Sequence, residues 1–130
     1  MDVVIDTSAL IAVIVGETER ARIVVLTVGN TLIGPGSIPW EMGNAFSSMV
    51  KQGRLTLDQA RKGISIFEGI PLQYAKSDFA HALKIADKSK LYAYDAYFLD
   101  CAIRHNAPLL TLDRKLMMAA KSLNVVVLEV

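Results

Sequence analysis

The chain has 130 residues, a formal net charge of +1, 52% apolar residues and one cysteine. That length suits one hydrophobic core, and so a single domain over residues 1–130. The near-zero charge excludes the basic excess of a dedicated nucleic-acid binder, and a lone Cys101 excludes an internal disulfide and fits the reducing cytoplasm. The opening MDVVIDTSALIAVIV is apolar, but Asp2 and Asp6 interrupt it and no basic stretch precedes it, which argues against a signal peptide. No run reaches the ~18 uninterrupted apolar residues of a membrane span. A mean hydropathy of +0.36 is high for a small soluble domain. It suggests apolar surface left over for a partner, and hence a homodimer.

In chain order, Val3 to Ile5 form a short β-branched strand ending at Asp6, with Thr7 and Ser8 as caps of a helix through Val15. A second helix runs from Glu17 to about Val28 and stops at Gly29-Asn30. Thr31 to Ile33 form a strand closed by a Gly34-Pro35-Gly36 turn. From Ser37 the helical spacing of Ile38, Met42, Ala45, Phe46 and Met49 predicts a helix ended by Gly53. Leu57, Ala60, Ile64 and Phe67 predict the next. After a strand at Leu72 to Ala75, Ser77 caps a helix carrying Phe79, Ala82, Leu83 and Ala86. Another helix spans about Tyr94 to His105. Then follow a strand at Leu109 to Thr111, a helix from Asp113 to about Leu123, and the apolar run Val125 to Leu128. Strands alternating with helices, and strands apolar throughout, predict a three-layer α/β/α sandwich on a mainly parallel sheet.

Such sheets bind ligands beyond the carboxyl ends of their strands, where Asp6 and Asp113 both stand. Asp95 lies at the start of a helix and Glu41 about one turn into another. Each acid alone reads as a cap, a dipole partner or a solvated residue. Together they form a set of oxygen ligands suited to Mg²⁺ or Mn²⁺, and no cluster of Cys and His favours zinc. Asn44, three residues beyond Glu41, shares its side of the helix and is placed to orient the carboxylate. Asp100, five residues after Asp95, is turned away around the helix and is left outside the set.

The stretches VVIDTSAL at 3–10, EMGNA at 41–45, YDAYFLDCA at 94–102 and LLTLDRKL at 109–116 together resemble the PIN-domain family, especially the VapC-type toxins of toxin–antitoxin pairs. The resemblance implies a metal-dependent endoribonuclease whose catalytic and metal-binding acids are Asp6, Glu41, Asp95 and Asp113. It implies one or two Mg²⁺ or Mn²⁺ ions, with Thr7 and Thr111 as accessory hydroxyls. It also implies an RNA substrate, a cognate antitoxin and a homodimer. One departure is that Arg114, Lys115 and Leu116 follow Asp113 where some relatives carry a further acid, which predicts a weakly held second ion. The alternative is a catalytically silent PIN-fold module that binds RNA or protein.

Other constellations are weaker. Cys101 and His105 are spaced i, i+4, but a buried thiol on an apolar helix face suits them better than half a zinc site, and His81 has no local partner. A dehalogenase-like phosphatase needs a second Asp where Ser8 stands, and a receiver domain needs an acidic pair after the first strand and a Lys after the last. Trp40, Tyr92, Tyr94 and Tyr97 are suited to stacking on bases, although aromatic residues beside helices usually complete a core. Arg104, Arg114 and Lys115 are the basic residues nearest the motif acids in sequence.

Overall fold

The computed structural model describes all 130 residues. Its sheet consists of β1 (Asp2–Ile5), β2 (Thr31–Pro35), β3 (Leu72–Ala75) and β4 (Leu109–Leu110), in the order β3-β2-β1-β4 with every pairing parallel. The helices are α1 (Thr7–Val15), α2 (Arg20–Thr27), α3 (Ile38–Lys51), α4 (Leu57–Glu68), α5 (Phe79–Ser89), α6 (Ala93–His105) and α7 (Arg114–Ser122). β1 lies between β2 and β4, and its Val3, Val4 and Ile5 are shut off from solvent. That burial on both faces is why the strand is apolar without alternation. Helix α6 packs on β1, β2 and β4 and against α5, whereas α1 packs against α2, α3 and α4. The buried apolar side chains form one continuous core. No helix is long and apolar enough to cross a membrane. The expected α/β architecture with a parallel sheet is the one observed.

Four local expectations change. Helix α1 is capped by Asp6, whose carboxylate accepts from the Ala9 amide, rather than by Thr7 or Ser8. Helix α5 is capped by Asp78, not Ser77. Gly34 and Pro35 belong to β2 instead of a turn: both pair with β3, and the turn is left to Gly36 and Ser37. Gly34 is small for a reason, since a Cβ there would lie 2.3 Å from the Ile38 side chain as α3 begins. The run Val125 to Leu128 makes one isolated bridge, Leu109 with Val127, rather than a full strand.

Candidate metal and phosphodiester site

Three chain segments leave the same edge of the sheet. The segment after β1 presents Asp6, that after β4 presents Asp113, and that after β2 enters α3 and presents Glu41 in its first turn. Asp95 joins from the first turn of α6, the helix lying across β1 and β2. Three of the acids feel charge from others of the set: Asp113 raises Asp6 and Asp95, while Asp95 and Asp6 raise Glu41.

Asp6 is 5% exposed, and its carboxylate is ringed by neutral donors. Oδ1 accepts from Ser8 Oγ at 2.7 Å and from the Ala9 amide at 3.0 Å, and Oδ2 accepts from Thr111 Oγ1. Burial raises its pKa; these hydrogen bonds oppose the rise, and Asp113 adds to it. Glu41 is pushed up to about 7, first by burial and then by its acidic neighbours, against a 2.7 Å bond from Ser37 Oγ and a long 3.5 Å contact from Thr7 Oγ1. Asp95 is raised by burial and by Asp113, with Lys115 as the opposing charge. Asp113 caps α7 through the Leu116 amide.

Thr111 donates to Asp6, and Thr7 lies within 3.5 Å of Glu41. Asn44 makes no hydrogen bond to Glu41 but lines the same cavity of about 370 Å³, together with Thr7, Trp40 and Tyr94. Ser8 and Ser37 were not among the expected site residues. Ser8 ties Asp6 to the far strand, accepting from the Leu112 amide at 3.0 Å and lying 3.4 Å from Thr111 Oγ1. Its position two residues after the strand-ending Asp is a readable signal, as is Ser37 one helical turn before Glu41. Of the basic residues, Lys115 acts on the site. Arg104 is bound to Asp100 instead.

The donors suit a hard divalent cation, because the set is all oxygen and its mutual repulsion is what a cation relieves. As the side chains stand, no three of the acids meet at one point.

Asp100 occupies a separate place. It is fully buried, and accepts from Arg104 Nε at 3.0 Å, from the Asp78 amide at 3.1 Å and, at 2.8 Å, pairs with His81 Nδ1. His81 thus has a partner, on α6 rather than nearby in sequence. Trp40, Tyr92 and Tyr94 are 76%, 83% and 56% exposed, so they do not complete the core. Cys101 does sit in the core, where burial raises its thiol to about 11.

A family model described as "PIN domain" matches residues 3–121. A search among curated proteins found no match. Among solved structures, PAE2754 from Pyrobaculum aerophilum superposes with a TM-score of 0.72 at 20% identity, over 92% of this chain and 79% of that one. VapBC2 from Rickettsia felis, bound to a DNA fragment from its promoter, gives 0.68 at 17% identity over 99% and 98%. VapC20 from Mycobacterium tuberculosis, a Sarcin-Ricin loop cleaving toxin, gives 0.64 at 11% identity over 90% and 94%.

Proposed function

The chain belongs to the PIN-domain family, and on that premise we propose that it is a metal-dependent endoribonuclease acting as the toxin of a type II toxin–antitoxin pair. The observation that carries the reading is the mutually repelling set of Asp6, Glu41, Asp95 and Asp113 at the carboxyl edge of the sheet, with Lys115 the one opposing cation. Asp6 and Glu41 are held by hydroxyls and an amide, and not by arginines, so no internal cation competes with an incoming ion for their oxygens.

In this reading Asp6, Glu41, Asp95 and Asp113 hold one or two Mg²⁺ or Mn²⁺ ions. Ser8, Thr111 and the Ala9 amide fix the rotamer of Asp6. Ser37 and Thr7 do the same for Glu41, while Asn44 faces the cavity where a water or phosphate oxygen would sit. Lys115 supplies a positive charge for the RNA backbone, offsetting the repulsion of an acidic pocket. When bound, the metal lowers the pKa of a water and stabilises charge building on the scissile phosphate.

The partner proposals rest on surface features and on the likeness to toxin–antitoxin structures. Phe79 and Leu83, one turn apart and exposed on α5, suit a homodimer. A cavity of about 500 Å³ between α3 and α4, lined by Phe46, Val50, Leu57 and Ile64 with Lys51 and Arg61 at hand, suits an antitoxin segment. The antitoxin tail would inhibit by continuing over the active-site groove, blocking it or setting a basic side chain among the acids. A buried free Cys101 is in keeping with the reducing cytoplasm.

The test is incubation with single-stranded RNA in Mg²⁺ or Mn²⁺ and in EDTA, followed by end-labelling. The expected products carry a 5′-phosphate and a 3′-hydroxyl, and form only with metal. Products ending in 2′,3′-cyclic phosphate, or cleavage in EDTA, would overturn the reading. The silent alternative draws on the fact that no three acids meet at one point. RNA binding without cleavage at any metal concentration would decide for it.

A further inference from the structure

Trp40 immediately precedes Glu41, and Tyr94 immediately precedes Asp95, so two of the four acids carry an aromatic neighbour in sequence. Both rings lie largely in solvent, and core packing accounts for neither. Both line the acidic cavity of about 370 Å³ beside Thr7 and Glu41. Both also line a second hollow of about 510 Å³ with Lys76, Phe79 and Tyr97. They therefore form the ridge between the acids and an apolar recess. Tyr94 is braced edge-on by Tyr97, with ring centres 5.8 Å apart at 85°, and Tyr97 by Phe79 at 5.7 Å and 87°. Edge-to-face contacts of this kind fix ring orientation.

Resting on the nuclease reading above, we infer that Trp40 and Tyr94 form a stacking platform for unpaired bases of single-stranded RNA on either side of the scissile phosphate. A phosphate at the acids places its flanking nucleosides within one backbone step, and the aromatic side chains lining the cavity at Glu41 are these two rings. Stacking on a π face is the usual way to hold an unpaired base. It is indifferent to base identity, and Lys76 at the rim of the recess would contribute a backbone contact. Duplex RNA keeps its bases stacked inside the helix and gains nothing from the ridge.

Trp40 is the only tryptophan of the chain, so its emission reports on the ridge alone. The measurement is titration of the Asp113→Asn protein in Mg²⁺, which spares the substrate, with a short oligouridylate and with its abasic, backbone-only counterpart. The base-bearing oligomer should quench Trp40 and the abasic one should not. By anisotropy of labelled oligomer, Trp40→Ala and Tyr94→Ala should each weaken binding about tenfold, Trp40→Phe should restore most of it, and abasic binding should be unchanged in all three. Equal binding of the two oligomers, or affinity indifferent to Trp40→Ala, would overturn the platform. So would a Trp40 emission that shifts with protein concentration and ignores RNA, which would assign the ridge to a second copy of the chain. Base-dependent quenching in a protein whose wild type never cuts RNA would uphold the platform while removing the nuclease reading.

Discussion

Asp6 and Asp100 are both buried aspartates, and their surroundings could hardly differ more. Asp100 is surrounded by positive charge and amide donors: burial pushes its carboxyl up, but Arg104, His81 and the Asp78 amide outweigh that and hold it below its ordinary value. Asp6 has only hydroxyls and one amide, with acids as its charged neighbours, and its carboxyl is raised. One carboxylate is neutralised within the fold, where it joins α6 to the start of α5, and through Arg104 to the Lys76 carbonyl. The other is left for something that the chain does not supply. The contrast gives a physical ground, in the environment of each carboxylate, for the separation that position along the chain already draws between Asp6 and Asp100.

The sharpest way to break the comparison is to remove one oxygen charge from each region. Asp6→Asn and Asp95→Asn should reduce RNA cleavage by at least about a thousandfold, since an amide keeps the shape but weakens metal binding. The melting temperature without metal should not fall, because Asn still caps α1 and one repelling charge is gone. Asp100→Asn should do the reverse. It leaves Arg104 and His81 facing a neutral group and should cost about 2–3 kcal/mol of stability, below the cost of a wholly buried pair because both partners are about a third exposed. Cleavage by the folded fraction should persist. An Asp6→Asn protein destabilised by several kcal/mol would make Asp6 a cap and nothing more.

How much of this contrast was legible in the sequence depends on the range of the interaction. Strand positions are readable because burial on both faces leaves β1 apolar, and Asp6 and Asp113 stand out because each follows a short apolar run, whereas Glu41 and Asp95 are picked out only by the joint motif pattern and the family resemblance. The Asp100–His81 pair was not readable, as it spans 19 positions and two helices. His81 consequently appeared partnerless. Asp6, Thr7 and Ser8 are all good capping types, so local sequence does not single out Asp6, and only the structure shows which oxygen meets the Ala9 amide. The same local ambiguity favoured Ser77 over Asp78. Gly34-Pro35 has the composition of a turn, but pairing with the edge strand β3 extends β2 through it. Trp40 looked like a core residue because aromatic burial is the rule, and nothing local reveals a face turned to solvent.

A cation should sharpen the difference between the two regions. At a hundredfold excess over its dissociation constant, a metal binding only the folded form adds about 2.7 kcal/mol, or roughly 10 °C in melting temperature for a domain of this size. Mn²⁺ should raise the melting temperature of wild type and of Asp100→Asn alike, and that of Asp6→Asn far less. A melt indifferent to Mn²⁺ in wild type would deny the acids their ligand.

The smallest expected effect is one of pH. Glu41 ionises at about 7 in the folded chain against an ordinary value of 4.5, so the unfolded state gives up its proton first. Stability without metal should then fall as pH rises from about 4.5, with the loss complete above about 7. Asp100, lowered in the fold, works oppositely: its contribution is present above the ordinary aspartate value and lost in acid. Glu41→Gln should flatten the slope between those two pH values, and Mn²⁺ should weaken it by favouring the ionised form. Denaturant melts across this range measure both. A slope unchanged in Glu41→Gln would place the titrating acid elsewhere in the set.

The pairing of β1 has a consequence for how the chain comes into being. Its Val4 and Ile5 pair with Leu109 and Leu110, and Asp6 receives the hydroxyl of Thr111, 105 positions further on. Contacts of such sequence separation must overcome the entropy of closing nearly the whole chain as a loop, which makes them slow to form. On the ribosome, where segments emerge in order, β1 meets β2 early and waits for β4 until most of the protein has been made. During that interval one edge of an apolar strand stands open, and the sixth residue has none of its partners from the far strand. The acidic edge is thus assembled late, and a growing chain short of residue 113 would lack it however well its first half had folded.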